Sequence, residues 1–160
     1  MEALDKLDTL ILRRLQADGR ASYENIAESV GLSPSAVLRR VRRLEDSKVI
    51  DRYVALVRPE AVGLGLTAYL NVRLEKHAEI QKRNPMDLFR ASVQTWPEVV
   101  ECAALTGEMD YLLRIVVPDI EAYDAVYQRL IAKLDFSNLS SSIAMEEMKY
   151  TTAVPTIYVA

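Results

Sequence analysis

Only two residues, Gly31 and Leu32, stand between the end of one helical pattern and the start of the next. Before them, Ile26, Ala27 and Val30 mark the buried side of a short helix over about 23–30, with Ser22 as its N-cap and Gly31 as its stop. After them, Ser33-Pro34 reads as an N-cap followed by proline at the first helical position. Val37, Val41 and Leu44 then form the inner stripe of a helix running to about Asp46. Two short helices joined by so brief a glycine-containing turn are the mark of a helix-turn-helix. An earlier helix over 5–16, with Leu7, Leu10, Ile11 and Leu15 on one face and Gly19 closing it, completes the unit.

The outer face of the last of these helices carries Ser35, Ala36, Arg39, Arg42 and Arg43, with Arg40 at its edge. Net charge is −3, which by itself argues against nucleic acid, but the distribution is uneven. Residues 1–60 hold eleven Lys/Arg against ten Asp/Glu, residues 61–160 nine against thirteen, and the run 33–44 has four arginines and no acid. Small residues at the start of a helix allow close approach to base edges in a major groove, and arginines bind guanine or phosphate. Ser33, Ser35, Ala36, Arg39, Arg40, Arg42 and Arg43 are therefore the candidate DNA contacts. The plainer alternative is a solvated arginine face on a helical hairpin.

Beyond Lys48, Val49-Ile50 and Tyr53–Val57 predict an extended segment, and Pro59, Gly63 and Gly65 a hinge. A strand follows over 67–74, where Ala68, Leu70, Val72 and Leu74 alternate with polar neighbours. A polar loop over 77–83 leads to a helix capped at Asn84-Pro85, with Met86, Phe89, Val93 and Trp96 on one side. Strands over 99–105 and 111–117 flank a turn. Asp119 caps a helix carrying Ile120, Tyr123, Val126, Tyr127, Leu130 and Leu134, and a last strand covers about 140–148. The expected fold class is α+β. A helix-turn-helix (winged-helix-like) domain over 1–50 and a linker over 51–65 precede a ferredoxin-like βαββαβ domain over 66–160. One sheet face would be bare, much of it apolar or aromatic, which predicts pairing with a second chain.

The same reading excludes several chemistries. There is no apolar stretch of about 18 residues and so no membrane span. Met1–Lys6 carries no signal peptide, and one cysteine suits a reducing compartment, so the expectation is cytoplasmic. One cysteine and one histidine leave no ordinary zinc site, and no phosphate loop or nucleophile elbow is present. No metal, cofactor or enzymatic activity is expected. Cys102 reads as a buried core thiol, Trp96 as core and His77 as solvated. Glu146 and Glu147, neighbours in a strand, would face opposite sides.

Three blocks in this order and spacing resemble the Lrp/AsnC family, the feast/famine transcription regulators. They are Leu4-Asp5-Lys6-Leu7-Asp8 through Asp18-Gly19-Arg20, then Gly31-Leu32-Ser33-Pro34-Ser35 with Arg40-Val41 and Arg43-Leu44-Glu45. The third is Glu101-Cys102 with Thr106-Gly107-Glu108-Met109-Asp110-Tyr111-Leu112-Leu113 and the closing 149–155. The resemblance implies a DNA-binding N-terminal unit. It also implies a βαββαβ unit that dimerises, assembles further to an octamer, and binds a small effector, usually an amino acid. Three positions depart from the family pattern: Lys48 where glycine is common, a longer loop over 77–84, and Leu134–Asn138 in place of a Leu-Pro-Gly-Val-like stretch.

The resemblance places effector contacts around Thr106, Gly107, Glu108, Met109 and Asp110, at an interface between dimers. By matching position, Ala104, Ile120, Ile143 and Ala144 would line its apolar part. A zwitterion needs an anion for its ammonium, which Asp110 can supply, and N–H donors for its carboxylate, which the backbone around Gly107 can supply. The competing reading is an ordinary hairpin turn in which Asp110 bonds its own backbone. The expected function is a sequence-specific regulator of transcription, binding a pseudo-palindromic site on double-stranded DNA as a homodimer or larger assembly. Its rivals are an architectural DNA binder without an effector, and an amino-acid-binding ferredoxin-like protein without a DNA function.

Overall fold

A computed structural model describes residues 4–75 and 85–159. Contacts divide the chain into two units: residues up to Leu56 together with those from Lys149 onward, and Val57–Met148. The first unit holds α1 (Lys6–Ala17), α2 (Tyr23–Val30) and α3 (Pro34–Asp46). Each begins where a side chain satisfies its free N–H groups: Asp5 accepts from the Asp8 amide, Ser22 from Asn25 and Ser33 from Ala36. Gly31 ends α2 in the left-handed conformation, φ 69°, and Leu32 N–H closes back on Ala27 O. Ile11, Leu12, Ile26, Ala27, Val37, Val41 and Leu44 form one buried cluster; the helical spacing marked all of these but Leu12, while Leu7 and Leu10, which it also marked, are half-buried.

After α3, Lys48 does take the left-handed conformation, φ 60°, that glycine would occupy at no cost. Val49 N–H reaches Leu44 O and Lys48 N–H reaches Glu45 O, so the turn keeps its closing geometry despite the lysine. The extended segment expected over Tyr53–Val57 forms no strand, and nothing among the described residues pairs with it. The tail also departs from the expected boundary, in which 66–160 is one domain. From Lys149 it packs with the first unit, where Arg13 Nε donates to Thr156 Oγ1 at 2.8 Å. Gln16 exchanges two hydrogen bonds with the Val154 backbone.

The second unit is β1 (Leu66–Leu74), α4 (Pro85–Val93), β2 (Val99–Ala104), β3 (Tyr111–Val117), α5 (Ile120–Ile131) and β4 (Phe136–Ile143). Strand order is β2-β3-β1-β4, antiparallel throughout, the ferredoxin-like arrangement. Ala68, Leu70, Val72 and Leu74 meet Phe89, Val93, Trp96, Tyr123, Val126 and Leu130 in its core. Phe89 stacks on Tyr111 with centroids 4.5 Å apart, a contact worth about 1 kcal/mol beyond burial. The Arg129 guanidinium lies 4.5 Å from the Trp96 ring centroid.

Three expectations are corrected here. The last strand begins at Phe136, opposite Leu74, and stops at Ile143, opposite Ala68; it does not span 140–148. Glu146 and Glu147 therefore lie beyond it, and Glu147 approaches Arg114 at 3.9 Å. Cys102 is exposed on edge strand β2, not buried. The face opposite the helices is mixed instead of apolar: β1 presents Thr67, Tyr69, Asn71 and Arg73, and their neighbours include Arg114, Leu112, Ser140 and Ser142. The loop over 77–83, with His77, and the cap at Asn84 lie outside the described residues.

Candidate DNA interface and ligand hairpin

The outer side of α3 is built from its capping turn onward. Ser33 Oγ accepts from Ala36 N–H at 3.3 Å and lies 3.1 Å from Ser35 Oγ. Ser33 and Ser35 are exposed and Ala36 is half-buried, so the first turn offers small groups and no bulk. Arg39 and Arg42 follow one turn apart, both exposed, and neither forms an ion pair among the described residues. With Ser35, Leu38 and Arg43 they line an open groove that ends at Asp46 and Ser47.

Arg40 and Arg43 behave differently. Arg40 Nη1 donates to Asp5 Oδ2 and to Asp8 Oδ1, both at 2.8 Å, and Arg43 Nη2 donates to Asp8 Oδ2. The acid-free run along α3 is thus balanced from α1. Helical spacing within α3 does not show this, because the partners stand more than thirty residues away. Asp5 and Asp8 close the capping box of α1, each side chain accepting from the other's backbone N–H. The signal available in the sequence was that three-residue spacing; its meeting with α3 was not. The Asp8 N–H and then the Arg40 guanidinium hold the Asp5 carboxyl below its ordinary range, while Asp5 and Asp8 push the Arg40 guanidinium higher.

The second candidate region is the turn between β2 and β3. Thr106, Gly107 and Glu108 are exposed; Met109 and Asp110 are half-buried. Gly107 sits at φ 116° with open space where a side chain would be, so its backbone is approachable. Asp110 works as a structural brace. Its carbonyl accepts from Leu105 N–H at 2.9 Å, its own N–H donates to Val72 O at 2.8 Å, and its Oδ2 accepts from Leu74 N–H at 2.9 Å. A hairpin turn forms, but the Asp110 carboxylate bonds across to β1 instead of to its own backbone.

The structure does not bring all the ligand candidates together within one chain. Ala104 pairs with Tyr111, which pairs with Val72, so it stands beside the hairpin. Ile143 pairs with Ala68, and Ala144 N–H donates to Thr67 O, four and more residues back along β1. Four residues of strand are about 13 Å. Exposed Ile120, at the start of α5, belongs to that far end too, since β3 closes with Val117 opposite Leu66.

Comparisons with known proteins match both regions. The AsnC-type helix-turn-helix domain matches residues 4–45 and the Lrp/AsnC ligand binding domain matches residues 67–154. The chain is 39% identical over 153 residues to the DNA-binding transcriptional activator DecR of Escherichia coli K12, covering 95% of this chain and 98% of that one. It is 37% identical over 152 residues to the glutamate uptake regulatory protein of Zymomonas mobilis, covering 95% and 90%. An AsnC family transcriptional regulator from Agrobacterium tumefaciens is similar in structure, with TM-score 0.89 and 43% identity over 98% of this chain and all of that one. So is a transcriptional regulator from Neisseria meningitidis in complex with L-Met, with TM-score 0.90 and 40% identity over 99% of this chain and all of that one. Matched in both units and in the same order, the chain belongs to the Lrp/AsnC family of transcriptional regulators.

Proposed function

We propose that α3 enters the major groove of a pseudo-palindromic site on double-stranded DNA, with Ser35 and Ala36 nearest the bases and Arg39 and Arg42 as the working cations. The observation that carries this is the difference along α3: Arg39 and Arg42 are exposed and without ion pairs among the described residues, while Arg40 and Arg43 are engaged with α1. A single helix-turn-helix makes few contacts, so the reading includes a homodimer that spans two half-sites, assembles on to an octamer, and works in the cytoplasm.

The second unit binds a small effector, an amino acid. Supporting this are the ligand-binding family match, the L-Met complex of the Neisseria relative, and the open backbone at Gly107. Because the hairpin and the Ile120, Ile143 and Ala144 end lie at opposite ends of β1, the reading requires residues from two chains to complete the site. A carboxylate accepts several hydrogen bonds, so Asp110 can brace Leu74 with one oxygen and meet an ammonium with the other.

Two measurements test the reading. Retention on promoter DNA should survive competition by random duplex; equal loss to any competitor favours the architectural alternative. A thermal-shift screen of the common amino acids should find a stabiliser. A ligand at 100 times its dissociation constant adds about 2.7 kcal/mol, and no response to any amino acid would remove the effector from the proposal.

A further inference from the structure

Asp8 is the only fully buried charged side chain among the described residues, 0% exposed at the third position of α1. Its place in the capping box accounts for one hydrogen bond, to Asp5 N–H at 3.0 Å. A neutral side chain could make that bond. The capping box does not account for the two guanidiniums, Arg40 on Oδ1 and Arg43 on Oδ2. Together Asp5 and Asp8 set two negative charges against two of the four arginines of α3.

We infer that Asp8 is a positioning residue for the DNA-facing helix: it ties Arg40 and Arg43 back onto α1 and so confines the cations available to DNA phosphates to Arg39 and Arg42. Phosphate contacts carry no sequence information, and they supply nearly all non-specific affinity. A helix presenting four unrestrained arginines would hold any duplex. Halving that number keeps the sequence-blind term low while leaving the small first turn and two cations to read the site. The inference rests on the reading of α3 as the DNA-facing helix.

The test is the salt dependence of full-length protein binding to a random-sequence duplex, followed by fluorescence anisotropy. Asp8→Asn keeps the shape and an acceptor for Asp5 N–H but frees the guanidiniums. It should bind random duplex several-fold more tightly at low salt, with the log–log salt slope steeper by about one per subunit. Damage to α3 would weaken binding instead. In parallel, Arg39→Gln and Arg42→Gln should each flatten the wild-type slope by about one per subunit, while Arg40→Gln and Arg43→Gln leave it unchanged. The four arginine variants decide the matter even if Asp8→Asn fails to fold. Equal slope losses at all four positions, or a folded Asp8→Asn that binds random duplex no more tightly, overturn the inference and leave α3 as the DNA helix. No slope change at any of the four arginines overturns that reading as well.

Discussion

Helix α3 and the hairpin between β2 and β3 both carry candidate contacts, but one chain brings together only those of the first. Along α3 the proposed DNA contacts follow one another by helical periodicity, so Ser35, Ala36, Arg39 and Arg42 share a side without help from any other segment. The hairpin is positioned by pairing: Asp110 is fastened to β1 through Val72 and Leu74, and the apolar candidates Ile143 and Ala144 join β1 at its other end. A helical face is a local property. A site on a sheet depends on register, and its groups can lie a strand length apart.

The two tasks of Asp110 can be separated by substitution. Asp110→Ala removes the acceptor for Leu74 N–H, and leaving that partly buried donor unmet should destabilise the second unit by about 1–3 kcal/mol. Asp110→Asn keeps an oxygen there and loses only the charge. Its urea midpoint should stay near wild type, while calorimetry with the stabilising amino acid shows affinity lower by about 2–5 kcal/mol, the cost of an unpaired ammonium. Wild-type affinity in Asp110→Asn would leave Asp110 as a brace alone, and the hairpin would be structural in the way α3 is not.

The complementary experiment is on the helix. Arg39→Ala should cost about 1–3 kcal/mol on the cognate site and relax one position if Arg39 reads a base. Should it instead bind a phosphate, the loss is the same on every sequence and the salt slope falls by about one per subunit. Thermal unfolding should not change, because the side chain is exposed and holds no other part of the fold. Unaltered binding to every duplex would remove Arg39 from the interface.

How much of this was legible in the sequence follows the same division. The helices of the first unit, the Ser22 and Ser33 caps and the buried residues of α2 and α3 could be read from residues three and four apart, and β3 and the Asp119 cap of α5 were legible as well. The start of β4 at Phe136 could not, because it is set by pairing with Leu74 sixty residues earlier. Cys102 was misjudged for a related reason: alternation tells which side of a strand a residue faces, not whether the strand lies at the sheet's edge. The arginines looked unbalanced since their partners sit on α1, and the tail could not be seen to return to Arg13 and Gln16. Each miss is a long-range pairing that no spacing within an element reports.

A smaller effect sharpens the claim that α3 is locally determined. Lys48 holds φ 60° in the turn that ends the helix, a conformation costing a side-chain-bearing residue about 1 kcal/mol. Lys48→Gly removes that strain, and the greater freedom of glycine in the unfolded chain offsets roughly half of it. The net should be a gain of about 0.5 kcal/mol, read as a higher urea midpoint with an unchanged slope. DNA affinity should stay the same, since the hydrogen bonds from Lys48 and Val49 back to α3 are made by the backbone. A loss of stability would mean that the lysine side chain supports the turn.

The contact between α1 and α3 is electrostatic as well as steric. The Asp5 carboxyl is held below its ordinary range, first by the Asp8 N–H and then by Arg40, and its side chain is half exposed. A carboxyl lowered in the folded chain stabilises it above the unfolded value, near about 3.9, and that contribution is lost as pH falls through the lower folded value. Asp5→Asn removes the charge while keeping an equally good N-cap. At pH 7 the variant should be less stable by under about 1 kcal/mol, as expected of an exposed ion pair. On acidification below about pH 4 the difference should close, because the wild type alone gives up this contribution. Chemical denaturation at a series of pH values measures both curves. Parallel curves down to the acid limit would show that capping alone, and not the charge facing Arg40, is what Asp5 contributes to holding α3 against α1.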